Sequence, residues 1–120
     1  MINERPHKKL DAWKKSIEFV SIIYKWTNQF PKEEEYGLKS QMRRASISVP
    51  SNIAEGMTRK SKNDKLHFLN ISQASLSEID TQIEICLRLK YLDNIQYERI
   101  ETQLIQIQKM LSGLSRFIHK

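Results

Sequence analysis

The chain has 120 residues, of which 39% are hydrophobic and 28% charged, with three glycines, three prolines and one cysteine. That is one domain's worth of chain, able to bury a core unaided, with too few turn formers for an all-β fold. The composition excludes an intrachain disulfide, zinc-ligand cysteine spacing, an apolar run long enough to span a membrane and a secretion signal at MINERPHKKLDAW, so a cytoplasmic protein is expected.

Residues 1–10 are polar and basic and read as a loose arm ahead of a single domain over 11–120. Asp11 is suited to cap a first helix. Trp13, Ile17, Val20, Tyr24 and Thr27 recur at alternating spacings of four and three, one helical face, until Pro31 ends the run. Phe19, Ile22, Ile23, Trp26 and Phe30 make a second apolar stripe beside it, and together they cover roughly 220° of the helix. Three glutamates at 33–35 then favour a new helix start. Leu38, Met42, Ala45 and Val49 keep the spacing, and it resumes at Ile53 beyond Pro50. No turn residue separates the halves, so one proline-kinked helix is expected from about Tyr36 to Met57.

Ser61 is a natural cap for a third helix running from about Lys62 to Tyr91, with Leu66, Leu69, Leu76, Ile79, Ile83, Cys86 and Leu87 inward. This helix is also wide, since Phe68, Ile71 and Leu89 lie outside its main stripe. Asp93 or Asn94 caps a fourth, where Ile100, Leu104, Ile107, Leu111, Leu114 and Ile118 form an unbroken seam. Four long helices with short links predict an all-α, up-down-up-down antiparallel four-helix bundle. The surplus apolar area on the first and third helices predicts a homo-oligomer, with Trp26 or Phe19 between subunits.

The formal net charge is +6. Residues 39–67 hold seven basic side chains, Lys39, Arg43, Arg44, Arg59, Lys60, Lys62 and Lys65, against Glu55 and Asp64. The other residues are close to neutral. Such concentration points to a polyanion partner, and phosphate contacts from lysine and arginine would bind it with little base preference. A solvated basic face is the plainer alternative.

Catalytic patterns are missing. Glu4–His7 and Asp64–His67 have the carboxylate-x-x-His spacing of di-iron bundles, yet surface histidines explain them as well, and no metal or other cofactor is expected. Cys86 reads as a small buried apolar residue. No nucleophile elbow, phosphate-cradling glycine loop or zincin motif occurs, so no enzyme is expected.

The strings QMRRASISVPSNIAEG (41–56), LDAWKKSIEFV (10–20) and FLNISQASLSEIDTQIEICLRLKYL (68–92) resemble the 23S rRNA intervening-sequence proteins, over roughly residues 8–118. The resemblance implies a bacterial four-helix bundle assembling as a ring-shaped homopentamer. The accessory proteins of diversity-generating retroelements are similar and form positively charged barrels that bind nucleic acid and a reverse transcriptase. The matching positions are Arg43, Arg44, Ala45, Pro50, Asn52, Ile53, Ala54, Glu55 and Gly56. Of these, Pro50, Ala54 and Gly56 read as kink, close packing and helix end. Asn52 and Glu55 have capping-box spacing and are suited to satisfy backbone groups freed by Pro50. Arg43 and Arg44 are the strongest functional candidates. The leading expectation is a non-enzymatic oligomer that binds structured RNA, 23S rRNA or its intervening sequence. The alternative is a ring-shaped protein-interaction module that does not touch RNA.

Overall fold

The structure is a computed structural model and describes residues 5–120. Four helices, α1 (Asp11–Thr27), α2 (Leu38–Met57), α3 (Lys62–Arg88) and α4 (Asn94–His119), pack each against the next, and α1 closes on α4. The backbones of diagonal pairs do not approach closely, so the helices occupy the four corners around one core and run alternately up and down. At about 1.5 Å per residue, α3 runs nearly the full 43 Å of the longest axis. One end of the bundle collects the start of α1, the end of α2, the start of α3 and the end of α4. The other collects the two links 28–37 and 89–93, joined where the Tyr91 hydroxyl donates to Glu34 Oε2 at 3.1 Å.

Three of the four apolar faces lie where the spacing puts them. Met42, Ala45, Val49 and Ile53 of α2, Leu69, Leu76, Ile79, Ile83 and Cys86 of α3, and Ile100, Leu104, Ile107 and Leu111 of α4 are all buried. Helix α1 is turned by one residue from its expected phase. Its core face is Ala12, Ser16, Phe19, Ile23 and Thr27, while Ile17 and Tyr24 are exposed. Small and hydroxylic residues conceal this face in a hydropathy reading. Ser16 Oγ donates to the Trp13 carbonyl at 2.8 Å and Thr27 Oγ1 to the Ile23 carbonyl at 2.7 Å, so both enter the core with their polar atoms satisfied. Phe19 is therefore a core residue of its own bundle and cannot lie between subunits. Trp26 is half-buried against the same core.

Helix boundaries differ from expectation at three places. Residues 6–9 are not loose: Pro6–Lys9 is a 3₁₀ turn packed on α1 and α2, and Leu10, without a side-chain bond, precedes α1 in place of Asp11. Helix α2 begins at Leu38, because Lys32–Glu34 forms its own 3₁₀ turn and Glu34 Oε1 accepts the Leu38 N–H at 3.1 Å. Ser61 and Asp93 cap α3 and α4 as expected, Asp93 in a full capping box with Gln96.

Helix α2 continues through Pro50. Asn52 and Glu55 form no capping box. Asn52 Nδ2 donates to the Ser48 carbonyl at 2.8 Å and to Ser48 Oγ at 3.0 Å, whereas Glu55 accepts from Thr58 Oγ1 and Arg59. Proline frees the carbonyl four residues back, that of Ser46, and neither side chain reaches it.

Helix α3 stops at Arg88, short of Tyr91. Lys90 takes φ 64°, its N–H bonds the Leu87 carbonyl at 3.1 Å, and the Tyr91 N–H bonds the Cys86 carbonyl at 2.8 Å. That double closure is a Schellman motif with lysine where glycine is preferred. Lys90→Gly removes the left-handed strain and should stabilise the protein by about 0.5–1 kcal/mol, read as a higher urea midpoint at unchanged slope.

Candidate nucleic-acid interface

The basic segment is contiguous in sequence and divided in space. Lys39, Arg43 and Arg44 lie in the first two turns of α2, and Arg59, Lys60, Lys62 and Lys65 lie around the α2–α3 link. From Arg44 to Met57 the helix rises about 20 Å, roughly twice the screening length at physiological salt. The seven side chains therefore do not act as one patch.

The α2-start group is largely engaged within the bundle. Lys39 Nζ pairs with Glu35 at 3.0 Å and its side chain is 15% exposed. Arg43 is a clamp on the end of α1. Its Nε donates to Thr27 Oγ1 at 2.9 Å, and its Nη2 donates to the Tyr24 carbonyl at 3.1 Å and Asn28 Oδ1 at 3.2 Å. The guanidinium carbon sits 4.2 Å from the centroid of the Tyr24 ring. A cation on the last-turn carbonyls of a helix offsets its negative dipole end, so Arg43 holds α1 against α2 and has few donors left for a phosphate. Arg44 is exposed and has no ion pair among the described residues. These cations share an open groove of about 440 Å³ with Tyr24, Tyr36 and Ile47, and Tyr36 is 93% exposed. The sequence reading missed both tyrosines as neighbours of the arginines, although Tyr36 precedes Lys39 and Arg43 at helical spacing.

The second group belongs to a larger basic end. Residues 5–14, 55–67 and 112–120 meet there and hold ten lysines and arginines against three carboxylates, while the remaining described residues hold ten of each. Arg59 Nη2 pairs with Glu55 at 3.0 Å and stacks 4.7 Å from the Phe68 centroid. Lys62 Nζ donates to the Lys120 carbonyl at 2.7 Å, tying α3 to α4. Lys60 is exposed and Lys65 half-buried. Solvent-exposed pairs such as Arg59–Glu55 contribute little, so a phosphate can compete for these cations. Arg5, Lys8, Lys9, Lys14, Arg116 and Lys120 were missed as members of this set. Counting charge by bundle end, once the up-down order is assumed, would have found them.

Cys86 is fully buried, its Sγ 3.6 Å from Met42 Sδ. Burial, with a smaller effect from Glu34, pushes its thiol pKa up to about 12, so it stays protonated at neutral pH. Among the described residues no three histidine, cysteine or carboxylate side chains come together as metal ligands. Glu4, of the Glu4–His7 spacing, lies outside the described residues. No helix of the described residues is long and apolar enough to cross a membrane.

If Arg43 is a clamp, its loss is a stability defect. Arg43→Ala should cost about 1–2 kcal/mol, and Arg43→Lys, which keeps the charge and loses the fork, should cost nearly as much. Chemical denaturation of both variants measures this.

Comparison with known proteins agrees with the bundle. A crystal structure of a protein of unknown function from the S23 ribosomal protein family of Bacteroides thetaiotaomicron VPI-5482 is 26% identical, with a TM-score of 0.79 over 88% of this chain and 95% of that one. No curated protein matches. The model of the 23S rRNA-intervening sequence proteins matches residues 8–113, nearly the whole bundle, and the chain belongs to that family.

Proposed function

We propose that the protein is a non-enzymatic, oligomeric nucleic-acid-binding protein of the cytoplasm, and that it grips structured RNA, 23S rRNA or its intervening sequence, with the basic end of its bundle. One observation carries this reading: a single end holds ten cations and three carboxylates, and the rest of the described chain is neutral. The family's link to 23S rRNA supports the choice of RNA as the polyanion. Arg59, Lys60, Lys62 and Lys65 are the central phosphate contacts. Lys39 and Arg44 lie too far away to share that footprint, and Arg43 is committed to α1. A homo-oligomer, five-fold as the family resemblance implies, repeats the basic end in every subunit. RNA touching several copies then gains by effective concentration.

Phosphate contacts carry no base identity. Lys60→Ala/Lys62→Ala/Lys65→Ala should therefore weaken binding to unrelated structured RNAs by similar factors. The slope of log affinity against log salt should become shallower by up to about 0.7–0.9 per lost contact, measured by filter binding from low to physiological salt. An unchanged slope in a correctly assembled triple variant would remove these lysines from the interface. No salt-sensitive RNA binding by the unmodified protein would favour a protein-interaction module instead.

A further inference from the structure

Two exposed grooves lie at the end of the bundle away from the basic pole. The first, between α1 and α2, is lined by Lys39, Arg43 and Arg44 against one carboxylate, Glu35, and carries exposed Tyr24, Tyr36 and Ile47. The second lies between α3 and α4. It has a volume of about 550 Å³ and is lined by Asp80, Glu84 and Glu101 against one cation, Arg88. Ile85 is exposed in its wall, and Leu89 and Ile95 are exposed close by in sequence. The formal charges are therefore equal and opposite, and each groove sets them beside uncovered apolar side chains.

Their placement matters as much as their sign. In a four-cornered bundle the α1–α2 edge faces away from the α3–α4 edge. Tyr24 is in the last turn of α1, Lys39 to Ile47 in the first half of α2, Asp80 to Arg88 in the last turns of α3, and Tyr97 and Glu101 in the first turns of α4. The two grooves are thus on opposite sides at the same height.

We infer that these grooves are the two halves of one self-association interface, the basic α1–α2 groove of each copy seating on the acidic α3–α4 groove of the next. This specifies the assembly proposed above and rests on that reading. A two-fold dimer cannot satisfy both grooves, because they point in opposite directions. The contact is head-to-tail and closes into a ring if the rotation per copy permits. Where successive copies keep their bundles parallel, the shared height of the grooves puts every basic end on the same side of the assembly, where one RNA can touch several. The apolar residues supply the burial, and charge sets which faces meet.

Light scattering tests the inference by charge inversion. The unmodified chain should give a multiple of 14.2 kDa. Lys39→Glu/Arg44→Glu should reduce it to the monomer mass, and so should Asp80→Lys/Glu101→Lys. The quadruple variant, whose two grooves have exchanged signs, should recover the multimer, which a merely misfolded protein would not do. Two multimeric double variants, or a quadruple variant that stays monomeric while folded by circular dichroism, would overturn the groove assignment and leave oligomerisation standing. A monomeric unmodified chain would overturn both. Neither result bears on whether RNA binds the basic end, which these substitutions do not touch.

Discussion

Everything at the basic end depends on how closely α2 approaches α3. Gly56 sits in the last turn of α2, where a Cβ would stand 3.2 Å from both the Lys65 carbonyl oxygen and Phe68 Cβ. The oxygen is backbone and cannot swing aside. Above it the seam is made of small hydroxylic residues. Ser72 Oγ donates to the Val49 carbonyl at 2.9 Å, and Ser75 Oγ to Ser48 Oγ at 2.8 Å. Small side chains let the backbones close up, and the hydroxyls leave few buried polar atoms unpaired. The close approach stacks Arg59 over Phe68 and holds the link residues against the start of α3. Glycine inside a helix carries a cost of about 1 kcal/mol relative to alanine, and this contact gives a physical reason for a glycine at this position. The proline six residues earlier is a second departure from helix preference, also buried but about 120° round the helix. The close contact at Gly56 is a packing feature, so the glycine of the PSNIAEG string reads more clearly as packing than as chemistry.

Helix α4 and the inner face of α3 were legible because large aliphatic residues there mark one stripe each. Helix α1 was not, because it has two apolar stripes one residue apart, and the one that packs inward is interrupted by Ala12, Ser16 and Thr27. Only the neighbours decide between such stripes. The same limit governed Arg43. Beside Arg44 in a basic segment it looks like a phosphate ligand, and its true partners, Thr27, Tyr24 and Asn28, are fifteen or more positions away in sequence. The pairing of Glu35 with Lys39, by contrast, is a simple i,i+4 relation that the sequence displays. The basic end is not visible in the linear sequence because three separate segments assemble it.

Helix dipoles offer a structural reason for some of those cations and not for others. Arg59 follows the end of α2, and Arg116 and Lys120 stand at the end of α4, where positive charge offsets the negative pole of a helix. Lys62 and Lys65 stand at the start of α3, and Lys14 at the start of α1, where positive charge opposes the dipole by about 0.3–1 kcal/mol each at low salt. Asp64 and Asp11 relieve this only in part. Mutual repulsion among cations gathered at one end adds a further cost. Folding therefore accounts for the cations at helix ends and is hindered by those at helix starts. Helix stability alone does not explain the latter, which supports placing the proposed phosphate contacts at Lys62 and Lys65.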